Sequence, residues 1–187
     1  GLVGSEMCIR DRYDILKAYA EQFGIAKLKY VISGGNSSQE SIKIGLENLK
    51  NICNDGDIII IHDGIRPMVD DNIITSCIET CESNGNGVTA YPVYEQIFET
   101  KDGKTTDKYI PRESLRIVQT PQAYKYKEIL DVYIEGFEKN IGIHGSSYAN
   151  TLMTDMGKKL YFSAGSTKNI KITTKDDIAI FKAMISF

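Results

Sequence analysis

Apolar positions along the chain switch repeatedly between helical and strand periods. Residues 13–23 (YDILKAYAEQF) carry them at helical spacing and stop at Gly24, a residue suited to a helix C-cap. A strand is predicted over 28–33 (LKYVIS). After GGNSSQES, the residues Ile42, Leu46 and Leu49 recur at helical spacing, with Ser37 and Glu40 in capping-box positions. The segment Asp57–Pro67 reads DIIIIHDGIRP. Its four β-branched isoleucines have the pattern of a strand buried on both faces of a parallel sheet, predicted over 57–62. A helix follows over 71–83 and stops in SNGNG, then a strand over 87–93 and a hairpin around Lys101-Asp-Gly-Lys104. A short strand near 116–119 leads into QTPQAY and a helix over 126–139. A strand over 159–163 and a helix over 175–185 close the pattern. Repeated strand–helix units predict an α/β fold, a mostly parallel sheet with helices on both faces, and a small β-arm insertion at about 95–115.

Composition narrows the function classes. The 187 residues, 42% hydrophobic, suit one domain with a sizeable core. A formal net charge of −3 lacks the basic excess that nucleic-acid binding requires, so no nucleic-acid partner is expected. No apolar run approaches the ~20 residues of a membrane span, and no secretory signal is read. Cys77 and Cys81 share a predicted helix face with Ile73, Ile74 and Ile78, which makes them buried thiols rather than a disulfide framework or zinc site. A reducing cytoplasm suits them. The first twelve residues, GLVGSEMCIRDR, have no hydrophobic period and resemble a translated sequencing adapter. They are expected to be non-native, with a real, irregular N-terminus as the alternative; on the first reading Cys8, Arg10 and Arg12 carry no functional weight, and residues 13–187 form the expected domain.

Chemistry concentrates where the isoleucine run ends. Open α/β sheets bind ligands at the carboxyl ends of their strands, and His62, Asp63 and Arg66 follow such an end. Asp63 suits a ribose or sugar hydroxyl, or a metal-bound water, and the planar fork of Arg66 suits phosphate. The same spacing equally accommodates a structural Asp63–Arg66 salt bridge. His62 is read as packing and hydrogen bonding rather than catalysing. Gly34-Gly35, between a strand and a helix, allows close backbone approach to a ligand or forms a plain tight turn. It is neither a dinucleotide fingerprint nor a Walker A loop. Arg112 in YIPRESL and Lys171 in KNIKITTKDDI are further cations of the kind phosphate chemistry uses, although an isolated cation is ordinarily just solvated. Thr174 and Asp177 read as a cap for the final helix.

Five ordered segments together resemble the cytidylyltransferases that act on sugar-alcohol phosphates, a family including the 2-C-methyl-D-erythritol 4-phosphate and D-ribitol 5-phosphate enzymes. GGNSSQESIKIGL resembles the family's glycine-pair segment, DIIIIHDGIRP its strand ending HDAxRP, and YPVYEQ its APV-x-DT segment. QTPQAY is similar to its TPQ-x-F turn, and NIKITTKDDI to its NIKvT element. The resemblance runs from about residue 28 to the C-terminus. It implies a Rossmann-like domain, a homodimer built through the β-arm, and attack of a polyol phosphate on the α-phosphorus of CTP, with Mg2+ bound mainly through the CTP phosphates. It also implies site roles. Gly35, Asn36 and Ser41 hold the cytosine end, while Asp63 and Arg66 face the ribose and the acceptor. Arg112, reaching in from the partner's arm, and Lys171 position the acceptor phosphate, assisted by Thr173. Gln96 stands where the family often has a substrate-binding threonine.

Three departures from the family pattern stand out. Its N-terminal strand and glycine-rich loop, with the Arg and Lys that grip the triphosphate, have no match. The chain as given is therefore expected to be truncated and inactive alone. Ser38 replaces a usual Arg, and Ser146-Ser147-Tyr148 replaces a Thr-Asp pair, which disfavours methylerythritol phosphate as acceptor. Ribitol 5-phosphate, a wall or capsule precursor, and the isoprenoid precursor are the leading acceptors, with glycerol phosphate or another polyol phosphate open. A nucleotide-binding or dimerising scaffold without catalysis is the alternative reading.

Overall fold

Strand and helix alternate through the first half of the chain, as the hydrophobic periods require, before consecutive strands interrupt the pattern. The computed structural model describes residues 2–4, 13–145 and 148–186. In chain order its elements are β1 (Leu2–Gly4), α1 (Tyr13–Gln22), β2 (Leu28–Val31), α2 (Ser38–Asn48), β3 (Ile58–Ile61), α3 (Asp71–Asn84) and β4 (Asn86–Pro92). There follow β5 (Ile97–Glu99), β6 (Lys108–Ile110), a 3-10 turn (Arg112–Ser114), β7 (Arg116–Lys125), α4 (Tyr126–Lys139), α5 (Ala149–Asp155), β8 (Phe162–Ala164) and α6 (Lys175–Ile185). Two compact units emerge. One comprises residues up to Ile59 with Tyr124–Leu160; the other comprises Ile60–Ala123 with the residues from Tyr161 onward. Among the described residues, no helix is long and apolar enough to cross a membrane.

In the first unit β1 and β2 pair in parallel, Leu2 opposite Leu28. The hydrophobic pattern marks no element at β1, and Cys8, Arg10 and Arg12 lie outside the described residues. The apolar stripe of α2 ends in buried Leu46 and Leu49, and α2 packs against α4, which packs in turn on α5. Ile129 and Tyr133 of α4 and Leu152 and Met153 of α5 are fully buried. Polar groups drawn into this core are paired, as burial demands. Tyr133 donates its hydroxyl to Gln39 Oε1 at 2.6 Å, and Gln39 Nε2 donates to the carbonyls of Gly142 (2.9 Å) and Tyr148 (3.2 Å). Burial also pushes the Tyr133 phenol far above its ordinary pKa, so it remains a donor.

The second unit centres on a sheet of order β3-β7-β4-β8, in which β4 and β8 run parallel with Val88 opposite Phe162. α3 packs on β4 and β8 through Ile73, Cys77 and Cys81, the face expected from the sequence. Cys53, Cys77 and Cys81 are thiols. Cys77 lies 3.2 Å from the Gly87 carbonyl, and burial raises its pKa. β5 and β6 form the expected arm, antiparallel, with Phe98 opposite Tyr109 and both rings exposed. Its turn is tied by Asp102, whose carboxylate accepts from the amides of Lys104 and Thr105 and from two threonine hydroxyls. Those bonds hold it well below the usual carboxylate range.

Three sequence expectations need correction. The isoleucine strand is not buried on both faces. Among the described residues β3 stands at the edge of its sheet, and its side chains are half-buried or exposed, with Ile60 37% exposed. QTPQAY is not a turn but the inner half of the ten-residue strand β7. A seven-residue helix, α5, occupies a stretch where no element was predicted. By contrast, α4 and α6 span the predicted residues.

Candidate active site

The end of β3 and the loop before α6 build one cationic cluster. The chain turns sharply after Ile61, with the Arg66 amide bonded to the Asp63 carbonyl, so both side chains emerge from one short loop. Arg66 Nε donates to Asp63 Oδ2 at 3.1 Å, and Lys171 Nζ approaches the same oxygen at 3.2 Å. One carboxylate oxygen thus joins two cations distant in sequence. Side-chain exposures of 12% for Arg66, 21% for Asp63 and 26% for Lys171 leave the group partly open to solvent. The salt bridge that spacing suggested is present, yet it is one arm of a larger arrangement that includes Lys171.

His62 and Thr120 fix the backbone of this loop. His62 Nε2 lies 3.1 Å from the Arg66 carbonyl and Nδ1 lies 3.1 Å from Thr120 Oγ1. A carbonyl can only accept, so Nε2 carries the hydrogen and Nδ1 accepts from the Thr120 hydroxyl. Thr120 Oγ1 in turn accepts the Asp63 amide at 2.9 Å. Partial withdrawal of the imidazole from water lowers its pKa, which keeps it in this neutral form. His62 therefore packs and hydrogen-bonds, as read from the sequence.

The glycine-pair segment forms a second locus in the first unit. Ser37 caps α2 by accepting the Glu40 amide at 3.1 Å. The reciprocal half of the predicted capping box is displaced by one residue, because Glu40 accepts from the Asn36 amide. Ser41 Oγ accepts from the Gly35 amide at 3.0 Å and donates to the Ser37 carbonyl at 2.8 Å. Gly35, Asn36 and Ser41 are thus drawn together at the start of one helix. A Cβ on Gly35 would lie 2.3 Å from Glu40 Cγ, so this packing requires glycine.

The remaining predicted residues stand elsewhere. Arg112 donates to the Tyr94 carbonyl at 2.8 Å and lies 3.6 Å from Glu113 Oε1, largely exposed at the base of the arm. Gln96 is exposed in the connection between β4 and β5. Thr173 bonds through its amide (2.9 Å) and hydroxyl (3.0 Å) to Asp177, so it joins the α6 cap that Thr174 and Asp177 form. Ser146 and Ser147, where the sequence departs from the family's Thr-Asp pair, lie outside the described residues. Sequence reading missed Gln119, Thr120 and Asn169, all buried around the cluster. Their one cue in the sequence is that Gln119 and Thr120 stand in QTPQAY, a segment similar to the family's TPQ-x-F turn.

Comparisons with known proteins agree on one family. The model of that family, "IspD: 2-C-methyl-D-erythritol 4-phosphate cytidylyltransferase", matches residues 11–186. The chain is 49% identical over 179 residues to ribitol-5-phosphate cytidylyltransferase of Lacticaseibacillus paracasei, a match covering 96% of this chain and 76% of that protein. It is 35% identical over 153 residues to 2-C-methyl-D-erythritol 4-phosphate cytidylyltransferase of Clostridium acetobutylicum, covering 81% of this chain and 63% of the relative. In fold it resembles the crystal structure of 4-diphosphocytidyl-2C-methyl-D-erythritol synthase from Anaerococcus prevotii, with a TM-score of 0.79 at 23% identity over 95% of this chain and 78% of that one.

Proposed function

The chain belongs to the 2-C-methyl-D-erythritol 4-phosphate cytidylyltransferase family, and on that premise we propose that the full-length protein transfers CMP from CTP to D-ribitol 5-phosphate, releasing pyrophosphate. The observation carrying the acceptor choice is the 49% identity, along nearly the whole chain, to a ribitol-5-phosphate cytidylyltransferase. In the reaction an oxygen of the acceptor's phosphate forms a bond to the α-phosphorus of CTP. The bond from that phosphorus to the bridging oxygen breaks, and its electron pair leaves with pyrophosphate. Two phosphates must be brought together against their mutual repulsion, so fixed cations and orientation supply most of the acceleration.

In this reading Lys171 and Arg66 receive the acceptor's phosphate. Asp63 holds the two cations side by side and offers its remaining oxygen to a hydroxyl of the ribose or the acceptor. Arg112, carried on the arm, reaches the site of a partner subunit in a homodimer, and the exposed Phe98 and Tyr109 rings supply apolar area for that contact. Gly35, Asn36 and Ser41 receive the cytosine end of CTP. Gln96, exposed as it is, reaches the acceptor across the same dimer contact, and Thr173 orients the Lys171 segment. Mg2+ neutralises triphosphate charge and, being reluctant to lose its waters, is held chiefly by substrate phosphates. Among the described residues no group of three potential metal ligands stands together. Asp63 is already engaged by two cations, so no side chain is assigned to the ion. The buried thiols suit a cytoplasmic setting.

Pyrophosphate release from CTP in the presence of ribitol 5-phosphate tests the proposal. CDP-ribitol formation supports it. CTP binding without transfer to any polyol phosphate would favour the scaffold reading instead.

A further inference from the structure

Lys171 lies on an irregular segment between β8 and α6, where no helix or sheet ladder holds it. What holds it is a buried side-chain clamp. Gln119, in the interior of β7 and 4% exposed, spends both amide hydrogens on this segment: Nε2 donates to the Ser166 carbonyl and to the Asn169 carbonyl, each at 2.9 Å. Its Oε1 accepts the Ser166 amide at 3.2 Å. Fully buried Asn169 donates Nδ2 to the Thr120 carbonyl at 2.8 Å, while its Oδ1 finds no partner among the described residues. On the far side of Lys171, the Ile172 amide bonds to the Ile65 carbonyl at 2.9 Å.

The decisive atom is the Asn169 carbonyl oxygen. It accepts Gln119 Nε2 and also Arg66 NH1, the latter at 2.8 Å, so its two lone pairs join a strand side chain to the candidate phosphate-binding guanidinium. Turning that peptide would release Arg66 and Gln119 together and displace Lys171, two residues onward. The segment can approach this closely because position 165 is glycine. A Cβ there would lie 2.8 Å from the Ala90 carbonyl oxygen and 3.0 Å from Gln119 Oε1.

We propose that Gln119, acting through the Asn169 carbonyl, is a positioning residue that sets the geometry of Arg66 and Lys171 for the acceptor's phosphate. It touches neither substrate. The inference rests on the proposed role of those two cations in cytidylyl transfer, and its test includes a readout independent of activity.

Gln119→Met keeps side-chain volume while removing both donors. Side-chain NMR of the Arg66 guanidinium reports whether it remains ordered. Steady-state kinetics with CTP and ribitol 5-phosphate report the consequence. The expected result is loss of the ordered resonances of the Arg66 Nη1 hydrogens, which the Asn169 carbonyl accepts, and a rise of about tenfold in the acceptor's KM, with the KM for CTP little changed. Combined with Arg66→Lys, the second substitution should add little, because both act on one carbonyl. If Gln119→Met does not fold, Gln119→Glu, which retains the acceptor for the Ser166 amide, is read the same way. An unchanged guanidinium resonance would overturn the proposal. So would an unchanged acceptor KM, or additive effects with Arg66→Lys. If the wild-type protein shows no transfer, the functional reading fails while the resonance still decides the clamp.

Discussion

Lys171 Nζ lies 3.2 Å from Asp63 Oδ2, on the same oxygen that accepts Arg66 Nε. A single carboxylate oxygen between two cations holds them side by side at the end of β3. Lys171→Ala removes one of them while Asp63 keeps its Arg66 bond. Turnover should fall by about two orders of magnitude, with the thermal midpoint nearly unchanged. Kinetics alongside thermal denaturation measure both; near-normal turnover would remove Lys171 from the mechanism.

Arg112 offers a test of sharing between subunits. Its side chain is exposed and bound to a carbonyl on its own arm, so Arg112→Ala should leave folding intact and abolish most transfer. Mixing inactive Arg112→Ala and Lys171→Ala proteins under conditions of subunit exchange should restore part of the activity. No recovery after verified exchange would argue that each site is built within one subunit.

Gly35→Ala places a methyl group 2.3 Å from Glu40 Cγ and 2.6 Å from its Cβ. Glu40 must move, and its bond to the Asn36 amide goes with it. Overpacking of this kind costs about 1–3 kcal/mol. Chemical denaturation should show that loss, and the KM for CTP should rise. An unchanged midpoint would mean that Glu40 is free to swing away.

Much of this architecture was legible in the sequence because it is local. α4 and α6 were bounded correctly by a strong apolar period, and by the Thr174–Asp177 cap in the second case. The arm announced itself through its Asp-Gly turn. What was not legible is tertiary. QTPQAY contains a proline, which ordinarily argues against a strand interior. Two of its buried polar side chains are satisfied by partners distant in the chain: Gln119 by Ser166 and Asn169, Thr120 by His62 and Asp63. No local pattern records such pairing. The Asp63–Arg66 bridge was available from spacing alone, but the arrival of Lys171 at the same oxygen was not. The isoleucine run misled for the converse reason, since its composition suits two-sided burial while β3 forms the edge of its sheet.

The core of the first unit contains a bond whose removal should be costly. Tyr133→Phe deletes the hydroxyl that serves buried Gln39 Oε1 and adds nothing in its place. An orphaned buried acceptor costs about 1–3 kcal/mol, and urea denaturation should show a loss in that range. A neutral substitution would indicate that water or a rearranged Gln39 replaces the phenol.

The α6 cap predicts a pH effect of definite sign. Amides of Thr173 and Thr174 and their hydroxyls hold the Asp177 carboxylate at a pKa of about 2, below the ordinary value of 3.8. A depressed pKa means that the ionised form stabilises the fold fully above the unfolded value and loses that contribution as pH falls through the folded one. The stability difference between wild type and Asp177→Ala should therefore be constant near neutrality. It should shrink below about pH 4 and fade toward pH 2. A difference that persists undiminished at low pH would show that charge is irrelevant to the cap.

The most direct test of the central claim is a competition assay. The purified full-length protein is given CTP, Mg2+ and equal concentrations of ribitol 5-phosphate and 2-C-methyl-D-erythritol 4-phosphate, and the products are identified by mass. CDP-ribitol should be the dominant product, with matching pyrophosphate release. Predominant 4-diphosphocytidyl-2-C-methyl-D-erythritol would contradict the acceptor assignment, and no cytidylylated product at all would contradict the activity itself.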